Sequence, residues 1–196
     1  SGVVSGSGTL TKTDSGTLSL TGANTYTGGT NLTAGTIKVG SNTALGTGAS
    51  SSLAMADGTT LETGAASVTL ANAVGITGTG TVDTNPGNTL TLSGVVSGGA
   101  LTKTDSGTLV LTGGNSYSGG TNLTAGTIQV GSNTALGTGA LTMSTNTTLD
   151  AGTADRTLAN AVAITGTSTV DTNATTLTLS GVVSGSGTLT KTDSGT

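Results

Sequence analysis

The segment SGVVSGSGTLTKTDSGT, Ser1 to Thr17, returns letter for letter as Ser180 to Thr196, and in a slightly shorter form, SGVVSGGALTKTDSGT, as Ser93 to Thr108. Between these markers, TGANTYTGGTNLTAGTIKVGSNTALGTGA from Thr21 matches TGGNSYSGGTNLTAGTIQVGSNTALGTGA from Thr112. LANAVGITGTGTVDTN from Leu70 likewise matches LANAVAITGTSTVDTN from Leu158. The chain divides into two tandem units, residues 1–92 and 93–179, and the start of a third, 180–196. A chain built this way has no single thick core with a unique place for each segment. Each unit is a stack of thin layers that its neighbours complete, so the whole is one continuous solenoid.

The copies differ in length at SGSGT against SGGA, GASSSL against GAL, and NPGNT against NATT. All three are stretches in which a turn absorbs an insertion at little cost. The stretches of constant length alternate apolar and polar, as in Thr17-Leu18-Ser19-Leu20, Thr36-Ile37-Lys38-Val39, Thr89-Leu90-Thr91-Leu92 and Thr108-Leu109-Val110-Leu111. Such alternation predicts short strands with one buried face. No window has helical periodicity, and 35 glycines are too many for stable helices.

Composition agrees. Gly, Thr and Ser number 35, 48 and 22 of 196 residues, Phe and Trp are absent, and hydrophobic residues make up 32%. A net charge of −4 is far from the high charge of disordered chains. The apolar residues are mainly Leu, Val, Ile and Ala, which suit many narrow layers of core. With no His and no Cys, a Ser-His or Cys-His nucleophile and the usual zinc sites are excluded. Five basic against nine acidic residues make nucleic acid a poor partner. No apolar run approaches the roughly 20 residues that span a bilayer, so this segment does not insert in a membrane.

Leu18, Ile37, Leu61, Leu90 and Leu109 mark a finer period of about 23 residues, four coils per unit. That is the size of one rung of a parallel β-helix, each rung covering the next at about 4.8 Å. The expected fold is an all-β, parallel β-helix of eight or nine rungs, near 40 Å long.

LTKTDSGTLSLTGANTYTGGTNLTAGTIKVG, Leu10 to Gly40, closely resembles the passenger-associated repeat of bacterial autotransporters, and Leu101 to Gly131 resembles it equally well. Leu189 to Thr196 opens a third copy. The resemblance implies a right-handed β-helix, secretion through an outer-membrane barrel of a Gram-negative bacterium, and a place on the cell surface. One departure is Asp14, Asp105 and Asp193, where the family more often has Gly; a turn tolerates either.

The acidic residues are the first candidates for chemistry, because some β-helix enzymes cleave polysaccharides with clustered carboxylates. Asp14, Asp105 and Asp193 recur at one phase of the repeat, as do Asp83 and Asp171. Four in-phase rungs separate equivalents by about 19 Å, beyond the roughly 5–10 Å of a catalytic pair. Asp83 and Asp105, about one rung apart, are the pair with stacking distance. The favoured reading makes all five turn residues. The calcium nonapeptide G-G-x-G-x-D and the phosphate loop G-x-x-x-x-G-K are both absent, and Gly46-Thr47-Gly48 lacks a third glycine. Asn24 and Asn115, Asn42 and Asn133, Asn72 and Asn160, and Asn85 and Asn173 repeat in phase and read as turn residues whose amides bond neighbouring rungs. The alternative is glycan attachment, at Asn31-Leu32-Thr33 and Asn122-Leu123-Thr124. Tyr26 and Tyr117 read as covers of a strand end, with sugar stacking as the alternative. T-x-T steps at Thr11, Thr89 and Thr176 are too irregular for an ice-binding plane. No catalytic, cofactor or metal residue is assigned.

The sequence therefore points to a non-catalytic stalk or adhesive segment that meets cell-surface or extracellular-matrix ligands. A polysaccharide-cleaving scaffold and an ice-binding solenoid are the competing readings. The identical ends further suggest that copies of the segment stack end to end.

Overall fold

The computed structural model describes residues 2–48 and 50–196. Ser1 and Ala49 lie outside the described residues, and with them the first letter of the opening repeat and part of the GASSSL length difference. The chain winds as an all-β parallel solenoid of about nine rungs, without helix among the described residues. Every strand pair is parallel, and neighbouring strands in space are one rung apart in sequence: Leu10 pairs with Thr30, Thr30 with Leu53, Leu53 with Val74, and Val74 with Val96.

Each rung has three faces. The first carries strands Leu10–Lys12, Thr30–Leu32 and Leu53–Met55, and then the opening residues of Val74–Asp83 and Val96–Thr104. The second begins with Thr17–Leu20, Thr36–Val39 and Thr60–Thr63 and continues through the closing residues of those two long strands. Above them lie Thr121–Leu123, Leu141–Met143, Val162–Ile164 and Val183–Gly185. The third runs from Ser67–Leu70 through Thr89–Leu92, Thr108–Leu111, Gly126–Val130, Thr147–Asp150 and Thr167–Asp171 to Thr188–Thr192.

The alternation T-L-x-L places Leu inward and Thr outward, as the period of two requires. Val68, Leu90, Leu109, Ile128, Leu149 and Val170 form one inward column on the third face, all buried. No opposite layer of large residues is needed, because the inward side chains of the three faces meet each other across one narrow core.

Three expectations need correction. The markers Leu18, Ile37, Leu61, Leu90 and Leu109 do not form one column: Leu61 pairs with Val82, whereas Leu90 pairs with Val68 and Leu109. They belong to two faces, which is why the step from Leu61 to Leu90, 29 residues, is the longest of the four. Nor do equivalent residues of the repeats stand in phase. Leu10 lies on the first face, Leu101 on the second and Leu189 on the third, because 91 residues outlast four rungs by one face. The SGGA segment is also not a free turn. It is a bulged corner inside Val96–Thr104, with the register shifting between Gly98 and Ala100. Gly98 has φ of 95°, and an added Cβ would strike the Ile76 carbonyl of the rung below.

Leu109→Ala is expected to cost about 2–5 kcal/mol in a denaturant titration, since the cavity opens in a core with no slack. Val95→Thr, at a position 46% exposed, should stay within about 0.5 kcal/mol.

Candidate functional site

The acidic residues separate into two groups. Asp14, Asp105 and Asp193 are turn residues as expected, each left-handed with φ of 61°, 59° and 62°. Asp tolerates this conformation better than most residues, and Gly tolerates it without cost. Asp83 and Asp171 are not turn residues; each closes a strand and points outward. Asp83 is next to Glu62 in register and Asp171 next to Asp150, one rung apart. In register the carboxylate beside Asp83 is thus Glu62, which spacing between Asp residues alone overlooks; Asp105 stands one residue past Thr104, the partner of Asp83 on the rung above. Lys38, below Glu62 in the same column, donates to it at 2.6 Å and holds the Glu62 carboxyl below its ordinary range. Burial, then the charges of Asp105 and Glu62, raise Asp83. In the second unit Gln129 stands where Lys38 stands in the first, and its amide donates to Asp150 at 3.0 Å. Asp193 is raised by its hydrogen bond with Asp171 and by that neighbour's charge.

These columns lie on flat sheet. Two concavities lie elsewhere: an open groove of about 600 Å³ is lined by residues including Asn42, Thr47, Ser50, Ser52 and Asn72, and a smaller one by residues including Gly2, Val4, Leu18 and Asn24. Among the described residues, neither groove is lined by a carboxylate, so neither brings the paired carboxylates of a glycosidase to a cleft. Among the described residues no group of three or more His, Cys, Asp or Glu is arranged to hold a metal ion.

A third set of charged residues follows the alternation to the inside. Lys12 and Lys103 point inward, and Lys103 is fully buried. The Lys103 ammonium donates to the carbonyls of Thr104 and Asp105 at 2.6 Å and of Ala125 at 3.2 Å. Lys12 repeats the tripod with Thr13, Asp14 and Ala34. Two of the three carbonyls belong to the lysine's own corner and the third to the rung above, so the ammonium ties one rung to the next. Thr33 and Thr124 complete the joint by donating to the Lys12 and Lys103 carbonyls. Gly35 and Gly126, with φ of 73° and 70°, sit against the corner below, where a Cβ would meet backbone oxygens. Burial lowers the Lys103 amine to about 8, while the charges of Asp83 and Asp105 act in the opposite direction. The signal was present in the sequence: each L-T-K places Lys at the inward parity.

The asparagines act as expected, between rungs. Asn24 accepts from the Val4 amide below and donates to the Ala44 carbonyl above; Asn115 does the same between Val96 and Ala135. Asn72 and Asn160 donate to carbonyls of the preceding rung, and Asn42 and Asn133 accept backbone amides from the following one. Asn85 and Asn173 bond Glu62 and Asp150. Asn31 and Asn122, the sequon residues, are exposed in mid-strand. Tyr26 and Tyr117 are buried and cannot stack on a sugar. Their hydroxyls bond Thr30 and Thr121 at 2.6 and 2.7 Å.

The outward surface is ordered more regularly than the T-x-T count suggested. Thr17, Thr36, Thr60, Thr81 and Thr102 form one register column on the second face. Thr89, Thr108, Thr127, Thr148, Thr169 and Thr190 form another on the third. The column beside each ladder is mixed: Ser19, Lys38, Glu62, Asp83 and Thr104 on one face, and Thr91, Val110, Gln129, Asp150, Asp171 and Thr192 on the other. A two-dimensional threonine plane is therefore interrupted by charge.

The family described as Passenger-associated-transport-repeat matches residues 10–39 and 101–130. These are the two stretches that hold the lysine tripod, the Asn bridge, the buried Tyr and the glycine corner. The chain is 43% identical over 127 residues, 64% of its length, to "Adhesin BmaC autotransporter" of Brucella suis biovar 1 (strain 1330), and that match covers 4% of the relative. No solved structure matches.

Lys103→Met should cost about 1–3 kcal/mol, because three corner carbonyls lose the ammonium, and the Thr104 carbonyl keeps only the Thr84 amide. Lys191→Met, on the exposed last rung, should stay within about 0.5 kcal/mol. Burial raises Tyr117 above its ordinary value of 10.0, so the folded state favours the neutral phenol. That stability is present below pH 10 and lost as pH rises above it. Tyrosinate absorbance should appear together with loss of the strand signal in an alkaline titration, not before it.

Proposed function

We propose that this chain, a β-solenoid carrying two passenger-associated-transport repeats, is a non-catalytic adhesive stalk segment of an autotransporter-type surface protein. The observation that carries this reading is the pair of outward threonine ladders on flat sheet, with the grooves and the carboxylates apart from each other. Such a surface offers many equivalent weak contacts and no reaction chamber. Similarity to an adhesin, of which this chain spans about one twenty-fifth, supports an extracellular ligand and a cell-surface location. The right-handed winding implied by the repeats accords with the strong preference of parallel crossovers. The polysaccharide-cleaving and ice-binding readings lose weight for the same geometric reasons.

The exposed end rungs, with Val3 and Val4 at one end and Val182, Val183 and Leu189 at the other, also give the isolated segment open strand edges. End-to-end stacking of copies follows as a property of the segment, and a strict monomer in sedimentation at high concentration would contradict it.

Adhesion by multivalency has a clear signature. Beads coated densely with the segment should bind extracellular-matrix or host-cell surfaces about 10²–10⁴-fold more strongly than the free monomer. Equal binding by both forms would contradict the stalk reading. Turnover of an acidic polysaccharide that Asp83→Asn abolishes would replace it with the enzyme, and thermal hysteresis would replace it with ice binding.

A further inference from the structure

We infer that the repeat unit is a screw of four rungs and one face, so that arrays of these units present the same contact surface on three bearings in turn. The register carries the inference. Four rungs above Leu10 on the first face stands Val96, yet the equivalent of Leu10 is Leu101, which opens the next face of that same rung. Four rungs above Leu101 on the second face stands Val183, and the equivalent of Leu101 is Leu189, on the third face. Both units advance by the same amount although they differ in length, because the insertions lie at corners and leave the number of faces unchanged.

The threonine ladders obey the same screw. Thr17, Thr36, Thr60 and Thr81 on the second face are equivalent to Thr108, Thr127, Thr148 and Thr169 on the third. The acidic column moves with them, from Glu62 and Asp83 to Asp150 and Asp171. Each threonine ladder therefore runs straight for five or six rungs, roughly 24–29 Å, and each acidic pair for two, before the motif passes to the next face. Three units, thirteen rungs or roughly 62 Å, return it to the first bearing.

This sets the kind of partner the surface fits. A crystal plane or a fibre laid along the axis would lose contact with a motif after one ladder. Discrete receptors with footprints no longer than about 24 Å meet an equivalent site once per unit, approached from three directions. The inference concerns geometry and is independent of whether the partner is adhesive. It makes the stalk a surface with no preferred side.

Spin-label distances in the 196-residue chain test it with outward, exposed or half-buried positions. Thr11 and Ser97 share a column four rungs apart, about 19 Å, whereas Thr102 is the repeat equivalent of Thr11. The distance in Thr11→Cys/Ser97→Cys should be the shorter and that in Thr11→Cys/Thr102→Cys the longer. An independent pair of variants repeats the comparison one unit up. Thr102→Cys/Ser184→Cys should lie near 19 Å and Thr102→Cys/Thr190→Cys beyond it. In-phase stacking of the repeats reverses both orders, and a reversed or equal order in either comparison overturns the screw.

Discussion

Inward side chains in this chain need the rung above and the rung below for cover, besides the facing sides of their own rung, and this dependence governs burial, polarity and function together. The octapeptide LTKTDSGT occurs at 10–17, 101–108 and 189–196. In the middle copy Leu101 and Lys103 are fully buried, whereas Leu189 and Lys191 on the last rung are exposed. Identical residues differ in environment because their neighbours along the axis differ. Local sequence decides which side chains point inward; position in the stack decides whether they are buried.

The same dependence explains the polar groups of the interior. A narrow core of Leu, Val, Ile and Ala gives little to distinguish one rung register from another, since a slip of a whole step would bury similar methyl groups. Lys12 and Lys103 bind carbonyls of their own corner and of the next rung, and Asn24 and Asn115 each join the rung below to the rung above. A slipped register would leave a buried ammonium and several backbone groups unpaired, at a cost well above that of a misplaced methyl. The polar joints thereby select the register, and aliphatic burial supplies the bulk of the stability.

Much of this was legible in the residues, and the failures are instructive. Repetition, alternation and the absence of large aromatics were sufficient for a parallel solenoid of thin rungs. The repeated asparagines were recognised as rung-bridging groups. Faces were harder, because Thr-Leu at Leu90 and Thr-Val at Val82 are interchangeable to a pattern of apolar letters, and only strand register separates them. The inward lysines were missed because a charged residue between threonines reads as solvated; its partners are carbonyls, which leave no letter in a sequence. Asp83 looked like a turn residue because Thr-Asn-Pro follows it, yet the strand runs one position farther and turns its carboxylate toward Glu62.

The rungs of this solenoid cannot stand alone, and stacking, rather than local sequence, protects the backbone. Native-state hydrogen exchange at the three copies of LTKTDSGT measures this most directly, because intrinsic exchange chemistry is nearly the same in all three. Slow exchange at 101–108, faster exchange at 10–17 and the fastest at 189–196 is the predicted order; equal protection of the three octapeptides would contradict it.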